Sequence, residues 1–527
     1  MVIKVLMLVI FFAVMVAIGL YCRKSATDVN GFVLGGRSVG PWLTAFAYGT
    51  SYFSAVIFIG YAGQFGWKYG IAATWIGIGN AILGSLLAWV VLGRRTRIMT
   101  QTLGTSTMPE FFEKRYGSRA LKIVASAITF IFLIPYTASL YNGLSRLFGM
   151  AFSVDYTWCV LGMAVLTAAY VLLGGYMAAA VNDFIQGIVM LFGIVAVIWA
   201  VLESNGGMSM VMAKLSTIPA PQAPDMQGAL ISFFGPAPLE LLGVVLLTSF
   251  GTWGLPQMVG KFYAITDESA ISKGTIISTV FAFIVAGGCY FLGGFAQLYA
   301  ESVEYAAPGK PVFDSIIPTM LSGLPDILLG IVVILVLSAS MSTLSSLVIT
   351  SGSTLALDIF VPLMRRRGIL PGNRSQLLQI RLLVVFFIAV SSVIAIVQAR
   401  SSVTFIAQLM GISWGALAGA FLAPFLFALY WKRTTPAAVM ASFLVGVGIM
   451  CACMACSFAG LPFISPFLSS PINAGVLAML ADLIVVPLVS FVTSAPERSE
   501  VDAMFASYDR KVVVQASTAL SPQEENL

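Results

Sequence analysis

Long apolar runs alternate with short polar connections along almost the whole chain. A helix needs about 20 mostly apolar residues to cross the hydrocarbon layer of a bilayer. Thirteen runs meet that requirement. The first, 2–21, is a leader span. Spans 1 to 5 follow at 41–64, 70–92, 121–147, 157–173 and 178–202. Spans 6 to 10 lie at 239–258, 274–298, 325–360, 379–398 and 403–430. Two trailing spans, 11 and 12, fill 436–458 and 472–492, and a polar tail runs from 493 to 527. The leader is followed by Cys22-Arg23-Lys24 and not by a small-residue cleavage site, so it reads as a retained span.

Three places break the apolar pattern at membrane depth. The first, in span 8, is Ser338-Ala339-Ser340-Met341-Ser342-Thr343-Leu344-Ser345-Ser346, where six of nine residues carry a hydroxyl. Ala339, Ser342 and Thr343 share one helix face, and so do Ser342, Ser345 and Ser346. Stacked neutral oxygens suit a hard cation such as sodium, while small hydroxyl residues also suit close helix packing. The second, in span 1, is Ala47-Tyr48-Gly49-Thr50-Ser51-Tyr52-Phe53-Ser54. The third, in span 6, is Phe250-Gly251-Thr252-Trp253-Gly254-Leu255-Pro256-Gln257, whose glycines and proline argue against continuous helix. Spans 1 and 6 are five spans apart, so they run in opposite directions. Broken helices in corresponding positions mark the binding site of transporters built from inverted repeats. The expected fold is therefore all-α and membrane-integral, with inverted five-helix repeats at 41–202 and 239–430.

Composition and charge agree with this reading. The chain is 59% hydrophobic and 9% charged, against about 25% charged residues in soluble domains. Sorted by thirteen alternating spans, 22 of the 28 Lys and Arg fall on one side and six on the other. The positive-inside rule then puts the N-terminus outside and the tail in the cytoplasm of a multi-pass cell-membrane protein. The chain has no histidine, no paired-carboxylate motif and no Walker-type glycine loop, so neither an enzyme nor an ATP-driven pump is expected. Cys451, Cys453 and Cys456 sit close together but lack the further ligands a metal site needs. Nucleic acid is not an expected partner, and nothing points to an obligatory protein partner. The bilayer and a small solute are the expected ones.

Two further spans carry candidate chemistry. Span 5 holds an acid at membrane depth, Asp183, within Val181-Asn182-Asp183-Phe184-Ile185-Gln186. Ionisable groups there are functional by default, although a hydrated position near the cytoplasm is the plainer alternative. Asp183 should lie at the depth of Ser345 and Ser346, where one acid and two hydroxyls would neutralise a monovalent cation. In span 3, Pro135 loosens the helix, and Tyr136 with Ser139 or Asn142 could face a central cavity or serve in packing.

The chain resembles the sodium:solute symporter family over nearly its whole length. The resemblance rests on Gly35-Gly36-Arg37-Ser38 with Gly40-Pro41, and on Thr107-Met108-Pro109-Glu110-Phe111 with Lys114-Arg115-Tyr116-Gly117. Gly174-Gly175, Asn182-Asp183-Phe184-Ile185-Gln186 and Met341-Ser342-Thr343-Leu344-Ser345 complete it. It implies sodium as the coupling ion, held by Thr50, Phe53, Ala339, Ser342 and Thr343. In some members a second sodium ion is held at the positions of Asp183, Ser345 and Ser346. It also implies a solute site between spans 1, 3, 6 and 10, for which Tyr52, Ser54, Tyr136, Thr252 and Trp253 are the candidates. Span 3 is similar to that of sodium/proline symporters, and span 1 is more similar to the pantothenate branch. Tyr52 stands where proline transporters have an Asp, and Thr248 and Thr252 stand where they have Trp and Tyr. The expected solute is a small amino acid such as proline, or another small carboxylate. A sugar, sialic acid or a non-transporting sensor of the same fold are the alternatives.

Overall fold

The computed structural model describes residues 2–399 and 406–509. The start of span 10 at Val403, and Arg400, Arg510 and Lys511 of the 28 Lys and Arg sorted by side, lie outside the described residues. Among the described residues, ten helical runs are long and apolar enough to cross a membrane, or eleven if one bent pair counts as a span. That is fewer than the thirteen expected. The difference lies in Val56–Leu103 and Tyr156–Ser204, of 48 and 49 residues. At about 1.5 Å per residue, each is more than twice as long as a bilayer core is thick. Each turns at a left-handed glycine, Gly70 at φ +61° and Gly175 at φ +55°. A side chain at Gly70 would strike the Leu230 carbonyl at 2.1 Å, and one at Gly175 would meet Phe32 at 2.9 Å. Spans 1 and 2 are thus joined at the first glycine, and spans 4 and 5 at the second.

Both expected breaks form. Span 1 begins at Pro41, whose missing N–H costs nothing in the first turn, and Pro41–Tyr52 ends where Phe53 turns extended at φ −93°, ψ 125°. The chain resumes in Val56–Tyr61, wound as a π-helix, a form often found at functional sites. Span 6 runs Pro238–Phe250, tightens through Gly251–Gly254, and restarts as Pro256–Tyr263. Its two halves are bent by 48°, because Pro256 has no N–H to continue the ladder.

Span 8 is the axis of the bundle: every residue from 335 to 349 is buried. Span 10, Ile406–Tyr430, is almost as enclosed. The leader and spans 9, 11 and 12 instead show Leu6, Leu382, Leu444 and Ile484 to the outside, as lipid-facing helices must.

The basic end of the molecule is tied together by side chains from the loops. The helix Met108–Tyr116 is N-capped by Thr107, whose hydroxyl also donates to Asp358 at 2.7 Å. Lys122 pairs with Glu113 at 2.9 Å and with Asp358 at 3.6 Å. Arg115 donates to the Ala428 carbonyl at 3.1 Å. Arg37 sits at φ +55° and donates to the carbonyls of Tyr263 and Thr105. So the motifs before spans 1 and 3 are clasps that hold spans 6, 8 and 10. Part of the polar tail also folds back: Arg498–Phe505 continues to Tyr508, which lies under the Arg95 guanidinium at 4.7 Å.

Candidate functional site

The span 1 break faces the hydroxyl run of span 8. In a continuous helix the Ala55 N–H would bond the Ser51 carbonyl; here it donates to Ser340 Oγ at 3.2 Å. The freed Ser51 carbonyl and that of Phe53 lie 3.2 and 3.4 Å from Thr343 Oγ1. The Ala339 carbonyl lies 3.1 Å from the same oxygen. One hydroxyl proton serves one acceptor at a time, so this cluster holds more lone pairs than protons. Beside it, Ser342 Oγ donates to Thr50 Oγ1 at 2.7 Å, and Thr50 Oγ1 donates to the Phe46 carbonyl at 2.7 Å. Thr50, Phe53, Ala339, Ser342 and Thr343 therefore meet in one buried, acceptor-rich place. The donor set consists of neutral oxygens, which fit a weakly charged hard cation. Ser51, which the spacing does not single out, contributes a carbonyl to it.

One turn further along span 8 the chemistry changes. Ser345 Oγ donates to the Ser342 carbonyl at 2.8 Å, and Ser346 Oγ lies 2.8 Å from Ser51 Oγ. Asp183 is fully buried beside them, which removes the hydrated-interface alternative for that acid. A group not anticipated from the sequence also stands here. Lys261 Nζ lies 3.6 Å from Asp183 Oδ2 and donates to Ser346 Oγ at 2.8 Å. Lys261, counted above with the cytoplasmic loops, is 3% exposed. That assignment is corrected: it lies inside the short helix Pro256–Tyr263 that follows the span 6 break. Nor is Asp183 the one enclosed acid. Asp358 and, in span 12, Asp482 are buried as well.

The solute candidates divide. Tyr52, Tyr136 and Trp414 of span 10 pack together, with Trp414 5.8 Å from the Tyr52 ring and 5.9 Å from Tyr136, edge to face. Tyr52 donates its hydroxyl proton to the Thr248 carbonyl at 2.9 Å. The Ser54 and Tyr136 hydroxyls and Trp414 Nε1 are buried and lie near one another without closing a full hydrogen bond. Orphaned polar atoms gathered in one place are costly unless a ligand uses them. Thr252 and Trp253 do not join this cluster. Thr252 Oγ1 donates to the Ser249 carbonyl at 2.8 Å, and Trp253 Nε1 to the Leu83 carbonyl at 3.0 Å. Thr252 Oγ1 also lies 3.3 Å from the Gly84 carbonyl of span 2, so both side chains face the contact between spans 6 and 2. Sequence spacing missed Trp414, which is one aromatic among many in apolar spans. It also missed Asn80, whose Oδ1 takes protons from Thr248 and Ser249 at 2.9 and 3.1 Å.

A model of the sodium:solute symporter family matches residues 32–446. The chain belongs to that family. Sodium is accordingly its coupling ion, and the family is one of transporters. The osmoregulated proline transporter of Bacillus subtilis is 29% identical over 443 residues, covering 83% of this chain and 86% of the relative. The sodium/proline symporter 2 of Staphylococcus saprophyticus is 29% identical over 452 residues, 84% of each chain. Among solved structures, a sodium-coupled sialic acid symporter in its substrate-bound outward-open state superposes with a TM-score of 0.72 at 17% identity. The match spans 94% of this chain and 99% of that one, and at that identity it speaks for the fold alone. The fold is the inverted-repeat transporter architecture that the paired breaks of spans 1 and 6 call for.

Proposed function

We propose that this symporter imports a small amino acid of the proline type together with sodium, by alternating access. Sodium is held at Thr50, Phe53, Ala339, Ser342 and Thr343, with the Ser51 carbonyl added. The observation that carries this is the surplus of acceptors around Thr343 where span 1 is unwound. A cation there joins span 1 of the first repeat, 41–202, to span 8 of the second, 239–430. It thereby favours whichever state brings them together, and a ligand moves such an equilibrium only through that difference in affinity. The solute lies against Tyr52, Ser54, Tyr136 and Trp414, and the unpaired donors of the last three suit a carboxylate. The similarity to proline transporters supports proline over a sugar or sialic acid. The charge sorting supports an outside N-terminus and a cytoplasmic tail, and so inward delivery.

The test is uptake of radiolabelled proline, glucose and sialic acid into proteoliposomes under an imposed sodium gradient. Proline accumulation that collapses when potassium replaces sodium is expected. Accumulation of glucose or sialic acid instead would overturn the solute, and uptake indifferent to sodium would overturn the sodium site.

A further inference from the structure

We propose that Lys261 is a resident cation that stands in for a second sodium ion and fixes the chain at one bound sodium. This rests on the main sodium site described above and deepens it. A second ion in this fold would sit among Asp183, Ser345 and Ser346, the positions the resemblance implies. Two of those three already answer to the Lys261 ammonium: Asp183 at 3.6 Å and Ser346 Oγ at 2.8 Å. The lysine has no other carboxylate within ion-pair distance among the described residues, and Asp183 has no other cation. One acid, 0% exposed, and one ammonium, 3% exposed, sum to zero charge in a buried place. A sodium ion added there would leave one buried positive charge unmatched, which a low-dielectric interior opposes strongly.

The tether explains how a fixed charge would serve transport. The ammonium grips Ser346 Oγ, which in turn lies 2.8 Å from Ser51 Oγ on the broken span 1. The Ser51 carbonyl is one of the acceptors around Thr343. The half-helix of span 6 that carries Lys261 is thus linked to the sodium ligands through one serine. A mobile second ion is replaced by a charge that travels with span 6 and cannot be lost to the cytoplasm. The cavity that Lys261 lines also touches Gln257, Ser346 and Thr354, so the tether sits where a path toward the basic end would open.

The experiment is equilibrium binding of 22Na+ to the purified full-length protein, counted per chain, for wild type, Lys261→Gln, Lys261→Arg and the double variant Lys261→Gln/Asp183→Asn. The expected counts are one, two, one and one. Melting curves establish which variants are folded. Two sodium ions on wild type would overturn the proposal outright, whatever the variants do. One ion on a folded Lys261→Gln protein would overturn it too, because the vacated acid should then recruit sodium. No sodium on wild type would bring down the main-site reading instead.

Discussion

Span 8 presents two neighbouring turns of hydroxyls to the same broken helix, and the two turns do different chemistry. Around Thr343 the partners are carbonyls and hydroxyls only. Around Ser346 the partners include a full acid and a full ammonium. The first place has acceptors to spare and no charge of its own, so on the proposed reading it takes its cation from solution. The second carries its counter-charge in the chain. The number of hydroxyls at membrane depth therefore does not tell how many ions a transporter binds. What matters is whether a neighbouring element already supplies a cation.

The largest expected effect comes from breaking the charged place. Asp183→Asn leaves Lys261 buried without its acid, and losing one member of a buried pair typically costs about 3–5 kcal/mol. The variant should melt well below wild type in sodium-free detergent solution. Adding Lys261→Met should recover most of the loss. An Asp183→Asn protein that melts with wild type would show that the 3.6 Å pair is not a working ion pair.

The neutral place should respond through sodium and not through folding. Thr343→Val keeps the shape but removes the hydroxyl around which three carbonyls converge. Loss of one such group, at about 1–3 kcal/mol, predicts a rise of roughly five- to 150-fold in the sodium concentration for half-maximal uptake. Ser342→Ala, whose hydroxyl meets Thr50 Oγ1 and not a carbonyl, should fall at the low end of that range. Sodium titrations of proline uptake check both. A shift confined to the proline half-saturation would move these residues from the ion to the solute.

A smaller effect is expected in the aromatic cluster. Tyr136→Phe removes one unpartnered hydroxyl and no packing. A hydrogen bond to bound solute is worth about 0.5–1.5 kcal/mol, so proline half-saturation at saturating sodium should rise about two- to ten-fold. An unchanged value would mean that the solute does not reach the Tyr136 hydroxyl.

The contrast between these places was only half legible in the sequence. Periodicity located Ala339, Ser342 and Thr343 on one face because helical spacing is set by backbone geometry alone. Glycine and proline marked both breaks because their effect on the ladder is local. Lys261 was not legible. It stands two residues from the end of its short helix, Pro256–Tyr263, and looked like any basic residue beside a loop. It lies in the half of span 6 that follows a 48° bend, and its inward contacts with Asp183 and Ser346 appear only in three dimensions. Thr252 and Trp253 lie apart from the aromatic cluster for the mirror reason: a residue in an unwound segment has no helical face, so adjacency in sequence says little about direction. Spans 1 and 2, and spans 4 and 5, ran together in the structure because each pair is joined by one left-handed glycine without a polar loop.

Asp482 offers the gentlest test of the comparison, as a third kind of place. It is a fully buried acid in span 12 that takes a proton from Ser442 Oγ at 2.7 Å. Its other oxygen has no hydrogen-bond partner, and among the described residues no ammonium or guanidinium faces it. Ser442 also lies 3.2 Å from the Ala420 carbonyl, so the group joins spans 10, 11 and 12. If burial of an acid alone marked a sodium position, Asp482 would qualify as well as Asp183. If a site needs convergent acceptors on moving elements, it does not. Asp482→Asn keeps an oxygen to accept from Ser442, so its effect on stability should stay below about 1 kcal/mol. Its sodium half-saturation should stay within about two-fold of wild type, since two-fold is well under the 1.4 kcal/mol that a ten-fold change represents. A ten-fold sodium shift in Asp482→Asn would show that the trailing spans take part in coupling, and that acceptor convergence around Thr343 is not what selects the ion's place.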